Sequence, residues 1–89
     1  MARLDMGSFE LAEHAAEGGT PDALFELGLK YCAGREVALD LVEAHKWFNL
    51  AALRGNEEAK HYRLEISREL TKQQIATAQK RAREWLSVH

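Results

Sequence analysis

Proline occurs once in this 89-residue chain, at position 21, and cysteine once, at position 32. One cysteine excludes an internal disulfide and matches a reducing compartment. No apolar run approaches the roughly 18–20 residues that a membrane-crossing helix needs, so no membrane partner is expected. The opening Met1-Ala2-Arg3-Leu4-Asp5-Met6-Gly7-Ser8 carries charge but no apolar core. It does not read as a secretory leader, and the cytoplasm is the expected location. Strand-like alternation of polar and apolar residues is also missing, which leaves helix as the periodic signal.

Chemical motifs are equally scarce. The chain has no His-Glu-x-x-His, no Cys-x-x-Cys and no glycine-rich phosphate loop. His14, His45, His61 and His89 are scattered, and Glu58 and His61 stand three apart as an accidental helical pair would. Cys32 falls near the end of an expected helix, whereas the positive N-terminus is the end that activates a thiolate. Ser8, Ser67 and Ser87 have no base close in sequence. The expectation is a chain that is not an enzyme, holds no metal and needs no cofactor.

Apolar residues make up 46% and charged residues 29%, a balance that fits an ordinary soluble globular protein. The length allows one domain with a modest core. Charge is unevenly spread: residues 1–59 hold five Lys/Arg against eleven Asp/Glu, and residues 60–89 hold seven against three. Such asymmetry is commonly a set of solvated helix faces, although it can mark a nucleic-acid surface.

The most informative positive feature is a repeated phrase. Ala15, Ala16, Gly19 and Ala23 recur as Ala51, Ala52, Gly55 and Ala59, each pair 36 positions apart. Periods of about 20–50 residues mark solenoids, whose units bury their apolar faces against one another. Helical solenoids mostly present a surface to another macromolecule and seldom enclose a catalytic pocket.

Five helices are expected. The first starts at Asp5 or Ser8, ends at Gly18-Gly19 and shows Phe9, Ala12 and Ala16 on one face. Thr20 as N-cap and Pro21 at the first helical position open the second, with Ala23, Leu27 and Tyr31 stacked and Gly34 as the stop. Asp40 and Glu43 form a variant capping box before a third helix with Leu41, Ala44, Phe48, Ala51 and Ala52 inward, closed by Gly55. Asn56 caps the fourth, with Ala59, Tyr62, Ile66 and Leu70 apolar. Thr71 and Gln74 make a second box that opens the fifth, with Ile75, Ala78, Ala82, Trp85 and Leu86 on one side. The expected architecture is all-α, an α/α solenoid of about five antiparallel helices in one domain over residues 1–89.

The run Ala23, Leu27, Gly28, Tyr31, Gly34, then Val37 and Asp40, then Ala44, Trp47, Ala51, Ala52, Gly55 and Ala59 resembles one complete Sel-one-like repeat, a relative of the tetratricopeptide repeat. On that resemblance residues 1–19 are a partial repeat, 20–55 the complete one and 56–89 C-terminal capping helices similar to the close of many small bacterial members. Two departures stand out. Glu36 occupies a place where the family's connector usually has a second glycine, and the fourth helix puts Arg63, Leu64 and Ser67 where the pattern would repeat Leu27, Gly28 and Tyr31.

The resemblance implies a concave face built by the second and fourth helices, and binding of another protein or peptide there. Its expected lining is Phe25, Glu26, Leu29 and Lys30, with His61, Tyr62, Glu65 and Ile66 opposite. Phe25 and Leu29 are large, apolar and outside the repeat's core positions. Phe25 has two open placements: beneath the first or fourth helix, or as a docking anchor. Self-assembly as a homodimer is an alternative, because roughly three repeats normally make an independent solenoid. Nucleic-acid binding is disfavoured: Gln73, Gln74, Gln79 and Glu84 dilute the basic set Arg63, Arg68, Lys72, Lys80, Arg81 and Arg83.

Overall fold

Glycines and capping side chains set the helix ends in a computed structural model that describes residues 8–89. The helices are α1 (Ser8–Ala16), α2 (Pro21–Ala33), α3 (Leu41–Leu53), α4 (Glu57–Ser67) and α5 (Lys72–Val88). Asp5, the alternative start of the first helix, lies outside the described residues. Gly34 ends α2 in the left-handed region at φ 68°, its N–H returning to the Lys30 carbonyl. Gly55 follows α3 at φ 107°. Asn56 accepts from the Ala59 N–H at 2.9 Å. Thr71 and Gln74 form the full reciprocal box, at 3.1 and 2.8 Å.

Two caps differ from expectation. Thr20 stands at the N-cap of α2, but its hydroxyl makes no capping hydrogen bond. The preset φ of Pro21 is the local device that remains there. Asp40 accepts from the N–H groups of Val42 and Glu43 at 3.1 and 3.0 Å. Glu43 does not reach back, because the Asp40 N–H is already donated to the Tyr31 carbonyl at 3.1 Å. The freed Glu43 carboxylate holds Lys46 at 3.1 Å and Arg81 at 3.3 Å. That second contact ties α3 to α5.

All regular structure among the described residues is helical, and α3 is its hub. It packs against α2, α4 and α5, while α1 packs on α2. Three neighbours around one helix explain why its buried surface is wider than the expected stripe. Ala44, His45, Trp47, Phe48, Leu50 and Ala51 are all buried, whereas Leu41 and Ala52 are half-buried. The same logic shifts α2. Lying between α1 and α3, it buries Leu24, Leu27 and Gly28 and leaves Ala23 and Tyr31 half-buried. Tyr31 turns to Phe9 of α1, edge-on at 5.8 Å. On α4 the buried residues are Ala59 and Ile66, and Leu70 lies past the helix end. On α5 they are Ala78 and Ala82, with Ile75 and Trp85 half-buried and Leu86 exposed.

Gly28 is required by packing. A Cβ there would lie 3.0 Å from Cζ of Phe48 and closer still to Cδ1 and Cε1 of the same ring. The missing side chain lets Phe48, fully buried, press against the α2 backbone. A mid-helix glycine costs about 0.5–1 kcal/mol relative to alanine. Burying a phenylalanine ring contributes roughly 1.5–3 kcal/mol, so the exchange favours the fold.

Candidate functional site

Phe48 roots an aromatic cluster that reaches the surface between α2 and α4. Its ring centroid is 5.7 Å from that of Phe25 and 5.3 Å from that of Tyr62, and Phe25 and Tyr62 meet edge-on at 5.3 Å. Offset and edge-on pairs at these separations add about 0.5–1.5 kcal/mol each beyond area burial. Phe25 is half-buried and Tyr62 is 39% exposed. Phe25 thus packs on Phe48 of α3 and Tyr62 of α4 while part of it stays exposed. Leu29, one turn further along α2, is also half-buried.

Polar residues surround this patch unevenly. Glu26, His61 and Glu65 are exposed, and Glu65 pairs with Arg68 at 3.1 Å. Lys30 departs from its expected place at the rim. It is only 3% exposed, with its ammonium 2.9 Å from Glu36 and 3.9 Å from Glu26. A lysine this deeply covered needs carboxylate partners, and those same partners cancel its charge as seen from outside. Lys30 belongs to the framework.

The repeat positions divide by burial. Leu27, Gly28, Ala44, Trp47, Ala51 and Ala59 are buried, Ala23, Tyr31, Asp40 and Ala52 half-buried, and Gly34 and Gly55 exposed at helix ends. Glu36 has φ 69°, the single non-glycine residue with positive φ among those described. The left-handed region costs an L-residue roughly 1–2 kcal/mol. The connector therefore bends at Glu36 as a glycine would bend, and the pull of Lys30 on its carboxylate offsets part of the strain.

Two of the side chains weighed for chemistry, Cys32 and His45, are at least partly buried. Cys32 is half-buried, and burial followed by the nearby Glu69 charge pushes its thiol pKa up, away from thiolate. His45, 2% exposed, meets the Ser67 hydroxyl through Nε2 at 2.9 Å. Ser67 donates its own proton to the Arg63 carbonyl at 2.8 Å, so Nε2 must be the donor. Nδ1 is then a bare acceptor, buried without a partner. Burial first, then Arg63, lowers the His45 pKa. Among the described residues no three His, Cys, Asp or Glu side chains converge as a metal site, and His61 and Glu58 are both exposed. The basic residues are partly engaged: Arg81 by Glu43, Arg68 by Glu65, and Arg63 donating to Asn49 at 2.6 Å.

Sequence reasoning missed one concavity altogether. Trp47 and Trp85, edge-on at 6.0 Å, wall a cleft with glutamates of α1. Sequence spacing put Trp85 on the apolar stripe of the fifth helix and the repeat pattern alone picked out Trp47, and nothing local to either one signals that they share a cleft with α1. No helix among the described residues is long and apolar enough to cross a membrane. No protein-family model, curated protein or solved structure matches the chain.

Proposed function

We propose that this chain is a non-enzymatic protein–protein interaction module, a cytoplasmic α/α solenoid of the Sel-one-like kind, which binds a partner protein or peptide on the face shared by α2 and α4. The observation that carries the reading is the aromatic platform. Tyr62 is substantially exposed yet braced by Phe25 and Phe48, both within 5.3 Å. Braced aromatics lose little side-chain freedom on binding and are over-represented among residues that dominate interface energies. The left-handed Glu36 in the connector supports the repeat assignment, because the family usually places glycine there.

The test is affinity capture with three versions of the protein. Replacing Tyr62 and Leu29 with serine removes the exposed part of the platform while sparing Phe48, and should abolish partner recovery. Truncating central anchors commonly costs about 2 kcal/mol or more. Reversing charge at Lys80 and Arg83 on α5 should leave recovery intact. Circular dichroism must show both variants folded. The reverse pattern would move the site to the basic helix and favour a nucleic-acid partner. A second reading, a homodimer that matches the acidic residues 1–59 to the basic residues 60–89, predicts twice the monomer mass by light scattering and salt-dependent dissociation.

A further inference from the structure

The cleft between α1, α3 and the end of α5 has a volume of about 410 Å³ and is walled by Trp47, Trp85 and His89 on one side and Glu10, Glu13 and Glu17 on the other. That volume is within the ~300–1,000 Å³ typical of ligand sites. Ring contacts join the members of the aromatic wall. His89 stacks on Trp85 at 4.0 Å and is anchored to the Trp85 carbonyl at 2.9 Å. Trp47 is 8% exposed, and its buried indole N–H has no acceptor.

The acidic wall comes from spacing. Positions 10, 13 and 17 share one side of a helix. Among the described residues no lysine or arginine lines the cleft. Among the described residues, only His14 approaches these carboxylates, 3.8 Å from Glu17. Two cations lie over the indoles: Lys46 above Trp47 at 4.1 Å and Arg54 above Trp85 at 5.9 Å. Each is already engaged, Lys46 with Glu43 at 3.1 Å and Arg54 with the Gly19 carbonyl at 3.4 Å. Lys46 and Arg54 are thereby partnered, so charge recognition in the cleft falls to the glutamates, and the indole surface left uncovered supplies apolar contact.

We infer that this cleft binds a basic peptide segment, with the methylene stem of a lysine or arginine along Trp47 and Trp85 and its charged head on Glu10, Glu13 and Glu17. Long basic side chains have this divided character, an apolar stem and a charged tip. The site is separate from the α2–α4 platform, and the inference does not rest on that reading.

Intrinsic fluorescence tests it directly, because the chain has two tryptophans and both line the cleft. Titration of the whole protein with capped hexalysine at low salt should give a saturable change in emission. Glu13→Gln should weaken binding about fivefold, the factor that corresponds to a charge contact of roughly 1 kcal/mol. The control pair Glu57→Gln and Glu58→Gln on α4 removes two exposed charges elsewhere and should leave affinity within about twofold. Circular dichroism verifies that each variant is folded. Equal weakening by the control pair, or a change that never saturates, would reduce the effect to general attraction and overturn the inference. Tetramethylammonium producing the same saturable change at similar affinity would overturn it in favour of a small-cation site.

Discussion

Replacing Gly28 with alanine poses two effects of opposite sign at one atom. Alanine in a helix interior normally stabilises, by about 0.5–1 kcal/mol, because it removes freedom from the unfolded chain. Here the new methyl group would overlap the Phe48 ring, whose Cζ lies 3.0 Å from the ideal Cβ position and whose Cδ1 and Cε1 are nearer. Ordinary contact begins several tenths of an ångström further out, so the ring must retreat. It is fully buried and held by Phe25 and Tyr62 at 5.7 and 5.3 Å, which leaves it no space to retreat into. Overpacking of this kind costs about 1–3 kcal/mol, and the depth of the overlap puts this site toward the upper end. The net effect is a loss of about 1–2 kcal/mol, or a fall of roughly 4–15 °C in Tm for a domain of this size.

Thermal unfolding followed at 222 nm, in a cycle with Phe48→Leu, separates the two effects. With the ring removed the overlap disappears, and Gly28→Ala should become neutral or stabilising by up to about 1 kcal/mol. A rise in Tm on Gly28→Ala in the parent protein would refute the close approach of α2 and α3 at this residue. Additivity of the two substitutions would refute the specific role of Phe48.

Leu24→Ala removes a fully buried side chain and should cost about 2–5 kcal/mol by chemical denaturation, enough to leave much of this small domain unfolded. Thr71→Ala breaks the complete capping box of α5 and should cost about 1 kcal/mol in the same assay. Deleting residues 71–89 exposes Trp47, which packs on Trp85, and should give aggregation in light scattering rather than a soluble helical monomer. Stability should also fall on acidification: burial holds the folded pKa of His45 below 6.5, so the unfolded chain takes up the proton first. The His45 contribution is complete above 6.5 and is lost as pH falls from there toward the lower folded value, and His45→Gln should flatten that segment of a Tm-against-pH curve.

The helix ends were legible because their signals are local. Pro21, Gly34, Asn56 and the Thr71–Gln74 box act through a few atoms of neighbouring backbone, and each appears where spacing predicts it. Burial was less legible. A single helical stripe predicts one covered face, but α3 is covered by three helices, so Leu50, His45 and Trp47 are buried beside the expected Ala44, Phe48 and Ala51. Lys30 shows the same limit from the polar side. Its burial depends on Glu36, six residues away across a turn, which no helical periodicity brings near it. The aromatic platform was half visible, since Phe25 and Tyr62 were both placed on the expected docking face. Their contact depends on α2 and α4 both packing on α3 around Phe48, a tertiary fact.

Trp47 and Phe48 are neighbours in sequence, and on a helix neighbours point roughly 100° apart. Phe48 accordingly joins Phe25 and Tyr62, while Trp47 joins Trp85 and His89. The two candidate surfaces are thus built on consecutive residues of the hub helix, one toward α2 and α4, the other toward α1 and α5. Close-packed interiors transmit displacement poorly by bending and well by rigid movement. A shift of α3 large enough to matter at one surface must therefore carry the anchor of the other with it. The Glu43–Arg81 pair opposes such a shift by tying α3 to α5 at 3.3 Å, but it is partly exposed and worth little more than about 1 kcal/mol. Ala44, Ala51, Ala78 and Ala82 are buried on α3 and α5, which pack together, and side chains that small suit a close approach of helices. Substitutions at those alanines should disturb both surfaces together, whereas changes at Tyr62 or Glu13 should disturb one alone.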